Sequence, residues 1–403
     1  MNINDSKALS PSEIAWKKFR RNPMGMAALY FVSLIILVAM FGYLISPDET
    51  PFANRQILEI TTQKPGFKVS MLKVRNNNAS VNKNLLQKML FGERDQFSYH
   101  PLSEFRFTAD SIYIKVFDSE PEVSPYETGF HLADVGFAIA ETPANSTNET
   151  IFFSDLNSGE VEINKSELKT LIEKKHLITM RFWLGTDQFG RDLLSRLLIG
   201  ARISLSVGFI SVFISLFVGI LIGSIGGYFG GKTDDLVMWL INVVWSIPTL
   251  LLVIAITFAL GKGFWQVFIA VGLTMWVEVA RVVRGQMMSL REKEFAEAAK
   301  VLGYNDLRII VKHLLPNVMS PVIVISAANF ASAILIEAGL SFLGLGVQPP
   351  VPSWGSMIKE NYAFIILDSA YLAIMPGIAI MLLVLSFMLI GNALRDALDV
   401  RGN

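Results

Sequence analysis

The sequence predicts an all-α polytopic membrane protein of six transmembrane helices, with an α+β domain inserted after the first. Three observations carry this. Six segments reach the roughly 20 mostly apolar residues that a bilayer crossing takes. Of the 403 residues, 52% are hydrophobic and only 17% are charged, whereas soluble domains run near a quarter charged. Residues 47–182 break from this composition and are polar, with alternating apolar positions. The same arithmetic excludes several functions. Lys and Arg, 35 in all, balance 35 Asp and Glu, so no basic surface for nucleic acid is expected. With no Cys, disulfides, thiolate zinc sites, iron–sulfur clusters and Cys nucleophiles are out of reach. The four His, at 100, 131, 176 and 313, are too widely spaced to suggest a metal-ligand pair.

Residues 1–23 form an N-terminal segment whose Lys17, Lys18, Arg20 and Arg21 make a basic collar suited to anionic headgroups. The first span, 24–46, has too long an apolar run for a signal peptide and no small-residue cleavage site after it. In the insert, 47–182, Phe105-Arg106-Phe107 and the run 112–117 alternate as strands do. A short helix is expected from Ser166 to Lys175, with Ser166 as its N-cap. Residues 183–403 form the core, with five further spans near 203–228, 236–260, 264–280, 318–345 and 372–394. With the N-terminus inside, the inner segments hold fifteen Lys and Arg and the two short outer loops hold two, Lys262 and Lys359. Positive charge stays cytoplasmic in short loops, so both termini are expected in the cytoplasm and the insert outside it.

Gly226 to Thr233 matches the phosphate-loop pattern G-x4-G-K-[ST]. That loop works between a buried strand and a helix N-terminus; here spans flank it, and a turn is expected. Gly219, Gly223 and Gly227 recur every four residues and should let another helix approach closely. Pro248 and Pro376 lie inside spans, where a kink is expected. Glu278, near the cytoplasmic end of the fourth span, reads as an interfacial ion pair with Arg281. Glu337 lies deeper, where a charge costs roughly 2.5–3.5 kcal/mol. It should face protein or water, as a translocation-pathway group or as an interhelical hydrogen-bond partner.

The cytoplasmic segment 281–317 carries the strongest constellation. Phe295, Ala298, Ala299 and Leu302 fall on one face at helical spacing, and Gly303 is a natural terminator. Such a helix should dock on a partner or lie on the lipid interface.

Glu297-Ala298-Ala299, Gly303, and Leu315-Pro316 twelve and thirteen residues beyond it resemble the E-A-A loop of ATP-binding-cassette importer permeases; His313 stands where the general pattern has Ile. Further stretches resemble the same branch: Trp16 to Pro23, Leu184 to Asp192 with Ser195-Arg196 and Gly200-Ala201-Arg202, Glu337 to Gly346 with Pro349-Pro350 and Pro352 to Gly355, and Gly391 to Asp399. Together they resemble the C-type permease subunit of dipeptide and oligopeptide importers, over residues 11–46 and 183–401. Asn392 and Val400 depart from the usual Asp and Pro, and the length of the insert is not explained by the resemblance. It implies the binding-protein-dependent importer permease fold, half of a pathway completed by a homologous permease, in a bacterial cytoplasmic membrane. Two cytoplasmic ATP-binding subunits would hold ATP and magnesium, and an extracytoplasmic protein would deliver substrate. This chain would then bind no cofactor or metal and perform no catalysis. Coupling to the ATPase would fall to Glu297, Ala298, Ala299, Gly303, Leu315 and Pro316. Nickel or another small solute is the alternative cargo. A secondary transporter would need coupling carboxylates and usually internal repeats, and would leave the E-A-A loop unexplained.

Overall fold

A computed structural model describes residues 10–78, 83–117, 126–139, 145–261 and 263–399. The chain forms two compact units. One gathers the chain up to Ala39, Gly200–Glu360 and the chain from Ala373; the other gathers Met40–Ile199 and Asn361–Leu372.

The chain opens with helix α1 (Pro11–Arg20), started by a reciprocal cap in which the Glu13 amide donates to Ser10 Oγ and the Ser10 amide to Glu13 Oε2 at 2.7 Å. Helix α2 (Pro23–Ile45) is the first apolar span. Its last turns lead into the second unit, which is built on a five-stranded antiparallel sheet. The strands are β1 (Phe67–Arg75), β2 (Phe97–Phe107), β3 (Ser111–Val116), β4 (Glu127–His131) and β8 (Leu177–Phe182), in the order β4-β3-β2-β1-β8. A smaller sheet holds β5 (Asn145–Ser146), β6 (Thr150–Asp155) and β7 (Gly159–Asn164). Helices α3 (Leu85–Phe91), α4 (Leu132–Gly136) and α5 (Lys165–Lys175) complete it. Every second residue of β3 turns inward, and Ile112 and Ile114 join Leu72, Leu132, Ile151, Leu168 and Ile172 in a core closed to solvent. This is the period of two that the polar alternation carries. Helix α5 is capped two residues earlier than expected. Asn164, not Ser166, is the N-cap, and its Oδ1 accepts from the Ser166 amide at 2.9 Å.

The first unit is a helical bundle. Its elements are α6 (Leu193–Phe229), α7 (Gly231–Trp245), α8 (Thr249–Leu260), α9 (Phe264–Arg291), α10 (Glu294–Val301), α11 (Asp306–Arg308), α12 (Leu315–Phe342), α13 (Trp354–Asn361) and α14 (Tyr371–Leu398). Among the described residues, five helices are long and apolar enough to cross a membrane, and six spans result if α7 and α8 count as one. The third span is therefore not the continuous helix expected over 236–260: α7 and α8 meet at 92°. Proline disfavours helical backbone at the residue before it and has no N–H to continue the ladder, so the break falls at Ile247 and Pro248, and Pro248 begins α8 as its N-cap. Segment 281–317 is also more helical than a loop. Helix α9 runs on to Arg291, and α10, α11 and a π-helical turn at Ile309–Leu314 fill most of the rest.

Helix α6 meets α9 in rising register. Ser211 Oγ donates to the Phe268 carbonyl at 3.1 Å, and Gly219, Gly223 and Gly227 lie in turn against Trp276 and Val279, Ala280, and Arg284. The two helices are parallel, so residues 230–263 return the chain from one end of the bundle to the other, and the bent pair α7–α8 makes that return. Helix α12 runs antiparallel to both, with Val318 packed near Tyr228 and Leu340 near Val207. Phe330 of α12 stacks on Phe387 of α14 at 3.9 Å between centroids. Phe19 packs with Ala393 and Ala397, and Lys18 Nζ donates to the Asp399 carbonyl at 3.3 Å. Both described chain ends thus lie at the end of the bundle that carries segment 281–317.

A Cβ on Gly223 would sit 2.5 Å from the Ala280 carbonyl oxygen and 2.9 Å from Val283 Cβ. Backbone cannot swing aside as a side-chain tip can. Gly223→Val should therefore destabilise the bundle by about 1–3 kcal/mol, read as a lower unfolding temperature of the purified protein in detergent, whereas Gly285→Val, with open space around its Cβ position, should leave it unchanged.

Candidate functional site

Helix α10 is short, and its seat explains why it holds its shape. Glu294 and Glu297 lie in its first turn and Lys300 in its last, each with the sign that the helix dipole favours. At its far end the Tyr304 amide donates to the Ala299 carbonyl at 3.2 Å and the Gly303 amide to Lys300 at 2.9 Å. This paired pattern needs a left-handed residue at the turn, and Gly303 supplies it with φ of 76°.

The helix has two faces, and they differ from the single face expected. Ala296 and Ala299 turn inward, 1% and 4% exposed, onto Val283, Met287, Ile309 and Leu314. Phe295, Ala298, Val301 and Leu302 turn outward, with Val301 88% and Leu302 71% exposed. Ala299 is thus part of the chain's own core and does not share the outer surface with Ala298. The pattern is explained by packing. Only a methyl-sized side chain lets α10 lie close on α9, so the small residues mark the buried side and the larger apolar ones are displayed. Glu297 is exposed, Leu315 is half-buried against the same core, and Pro316 is exposed in the first turn of α12.

Polar contacts that the sequence reading missed pin this region. Tyr228 Oη donates to Asp306 Oδ1 at 2.6 Å, Arg291 Nη1 donates to the Tyr228 carbonyl at 3.1 Å, and Lys300 Nζ lies 5.3 Å from the Tyr228 ring centre. Arg284 grips Asp234 with both Nε and Nη2, the second at 2.5 Å. Tyr304 stacks on His313 at 5.6 Å, so the departure at 313 has a ring partner. The Gly226–Thr233 stretch is the end of α6, a one-residue turn at Gly230 with φ of 66°, and the start of α7; no strand delivers it.

Glu337 is 1% exposed and its Oε1 accepts from Ser341 Oγ at 2.6 Å; Ser341 in turn lies 3.4 Å from Ser353 Oγ. Gly355 packs on Ala338, where a Cβ would come within 2.6 Å of its Cα. The Glu337–Ser341 bond lies within α12, and Ser341 carries the contact on to Ser353 in the turn before α13.

In the second unit, the Leu184–Asp192 stretch builds a buried polar cluster. Asp187 Oδ1 accepts from the amides of Phe189 and Arg191 at 2.9 and 3.0 Å, and its Oδ2 from Arg191 Nε at 2.7 Å. Asp192 Oδ2 accepts from the Ser195 amide at 2.8 Å, and Ser195 Oγ accepts from the Asp48 amide at 3.0 Å. Gly190, with φ of 67°, lies so close to the Ile57 carbonyl that a Cβ would fall 1.7 Å from its oxygen.

A cavity of about 340 Å³ opens at the α7–α8 break and is walled by α9 and α12. Among the described residues no group of three or more His, Asp or Glu is placed to hold a metal ion.

Residues 219–401 match the family described as binding-protein-dependent transport system inner membrane component, and residues 10–65 match the N-terminal transmembrane domain of oligopeptide transport permease C. The glutathione transport system permease protein GsiD of Shigella flexneri serotype 5b (strain 8401) is 44% identical over 221 residues, which is 55% of this chain and 73% of that protein. The protein of the same name from Escherichia coli O6:K15:H31 (strain 536 / UPEC) is 41% identical over the same lengths. Among solved structures, an inward-facing form of the MetNI methionine ABC transporter is similar with a TM-score of 0.42 at 19% identity, over 50% of this chain and 96% of that one. An amino acid ABC transporter crystallised with histidines gives a TM-score of 0.37 at 16% identity, over 50% and 92%.

Because Ala299 is inward and Ala298 outward, the same enlargement should have opposite results. Ala299→Leu should overpack the seat and cost about 1–3 kcal/mol, lowering the unfolding temperature of the isolated subunit. Ala298→Leu should leave that temperature unchanged.

Proposed function

The chain belongs to the family of binding-protein-dependent transport system inner membrane components, and from that premise we propose that it is the permease subunit of an ATP-driven peptide importer, coupled to its ATPase through α10. The outer face of α10 carries this reading. Phe295, Val301 and Leu302, with Leu307 beyond the turn at 70% exposed, form an apolar surface next to Glu294 and Glu297. An apolar patch rimmed by charge suits a protein partner. The acidic first turn suits a basic group on an ATP-binding subunit, and Pro316 lies at the start of the span that leaves this surface.

The mechanism follows from the seat. Two ATP-binding subunits closing on ATP would carry α10 with them. Since α10 is packed in one core with α9, the turn Ile309–Leu314 and the start of α12, with Lys300 over the Tyr228 ring of α6, a displacement at its outer face becomes a displacement of the spans. Allosteric coupling needs such an element, biased by both sites. A homologous permease would complete the pathway. The positive charge of the inner segments supports cytoplasmic termini and an extracytoplasmic 47–182 facing the substrate-binding protein. The relatives' glutathione transport and the oligopeptide permease description of residues 10–65 support a peptide-like cargo over nickel.

Val301→Glu combined with Leu302→Glu tests the reading in the assembled complex. Truncating central apolar anchors of an interface typically costs 2 kcal/mol or more, so association of the ATP-binding subunits should weaken by roughly 30-fold, and peptide uptake into proteoliposomes should fall with it while the sister permease still co-purifies. Undiminished association and uptake would leave α10 as a lipid-interface anchor. Uptake of nickel but not of peptides by the unmodified complex would move the cargo assignment to the metal.

A further inference from the structure

We propose that Glu278 is the group in the translocation pathway that recognises the cationic amino terminus of a transported peptide. This rests on the peptide-importer reading above. Glu278 stands mid-helix in α9, between the buried Val277 and Val279, yet is itself exposed. The ion pair with Arg281 that its spacing suggests does not form. The Arg281 guanidinium instead lies 3.4 Å over the Trp245 ring, and among the described residues the Glu278 carboxylate has neither an ion pair nor a hydrogen bond. An unpaired carboxylate on an apolar span is too costly to face lipid and belongs in a water-filled cavity or pathway.

Such a cavity is present. The space of about 340 Å³ at the α7–α8 break is lined by Glu278, with Thr249, Thr274 and Ser332 among its polar groups and Trp245, Leu252 and Met275 among its apolar ones. That size is within the range of small-molecule sites, which combine apolar walls with few placed polar groups. The composition selects among cations. A divalent metal takes several oxygen ligands, commonly more than one carboxylate, whereas an ammonium needs one carboxylate and a few hydroxyls. An amino terminus with its first side chains matches one charge set among apolar walls. Holding Arg281 on Trp245 keeps the carboxylate available, since a bound guanidinium would occupy the same acceptor.

The test uses the whole complex in proteoliposomes, with peptides bearing a free amino terminus and their N-acetyl counterparts. The charge-assisted hydrogen bond lost in Glu278→Gln should lower uptake of the free-terminus peptide by roughly 10-fold, with the sister permease still co-purifying. The ratio of free to acetylated uptake should fall toward one, and Glu278→Asp should restore part of it. Comparing ratios cancels any preference of the binding protein. An unchanged ratio in Glu278→Gln overturns the proposal. So does loss of the sister permease from the purified variant, which assigns Glu278 to the subunit interface. If the unmodified complex takes up neither peptide, the peptide reading itself has failed.

Discussion

The contact between α6 and α9 is the constraint on which the bundle depends. Lipid offers no hydrophobic gain for bringing two helices together, so association relies on close van der Waals packing. Gly219, Gly223 and Gly227 provide it by exposing backbone to backbone over three turns, and Gly272 does the same from the other side against Ile214. Because the register is parallel, the chain between the two helices must travel back across the bundle. Helices α7 and α8 make that return, and the cavity walled by α9 and α12 lies at the bend between them, at Ile247–Pro248.

The same pairing fixes the seat of α10. The end of α6 presents Tyr228, the end of α9 presents Arg291, and together with Asp306 they hold the segment after α10 in place. Arg284 and Asp234 lock the start of α7 to α9. The alanines of α10 complete the seat from the inside. The E-A-A pattern thus joins two tasks in adjacent positions, Ala299 packing the chain upon itself and Ala298 lying on the displayed surface.

Much of this was legible in the sequence because it depends on local composition. The spans follow from runs of apolar residues, the close approach of α6 from glycines four apart, the end of α10 from Gly303, and the strands from alternation at 112–117. What was not legible depends on partners distant in sequence. Tyr228 and Asp306 are separated by 78 positions, and nothing in either neighbourhood names the other. Glu278 and Arg281 illustrate the opposite failure. Their spacing permits a pair, but Trp245, on another helix, competes for the guanidinium. Spacing also assigned Ala299 to the outer face and Ser166 to a cap; in each case a neighbouring residue with a better fit, Ala296 with its methyl or Asn164 with its reach, set the rotation or the start of the helix.

The buried cluster around Asp187 and Asp192 has a consequence for synthesis. The Asp48 amide, just past the first span, is bonded to a hydroxyl 147 residues later. At about 5–20 residues per second, a ribosome needs roughly 7–30 s to produce that partner. Throughout that interval the first span has already been made while Asp192 and Ser195 have not yet been synthesised. This contact therefore necessarily forms late, after the whole intervening stretch has been synthesised.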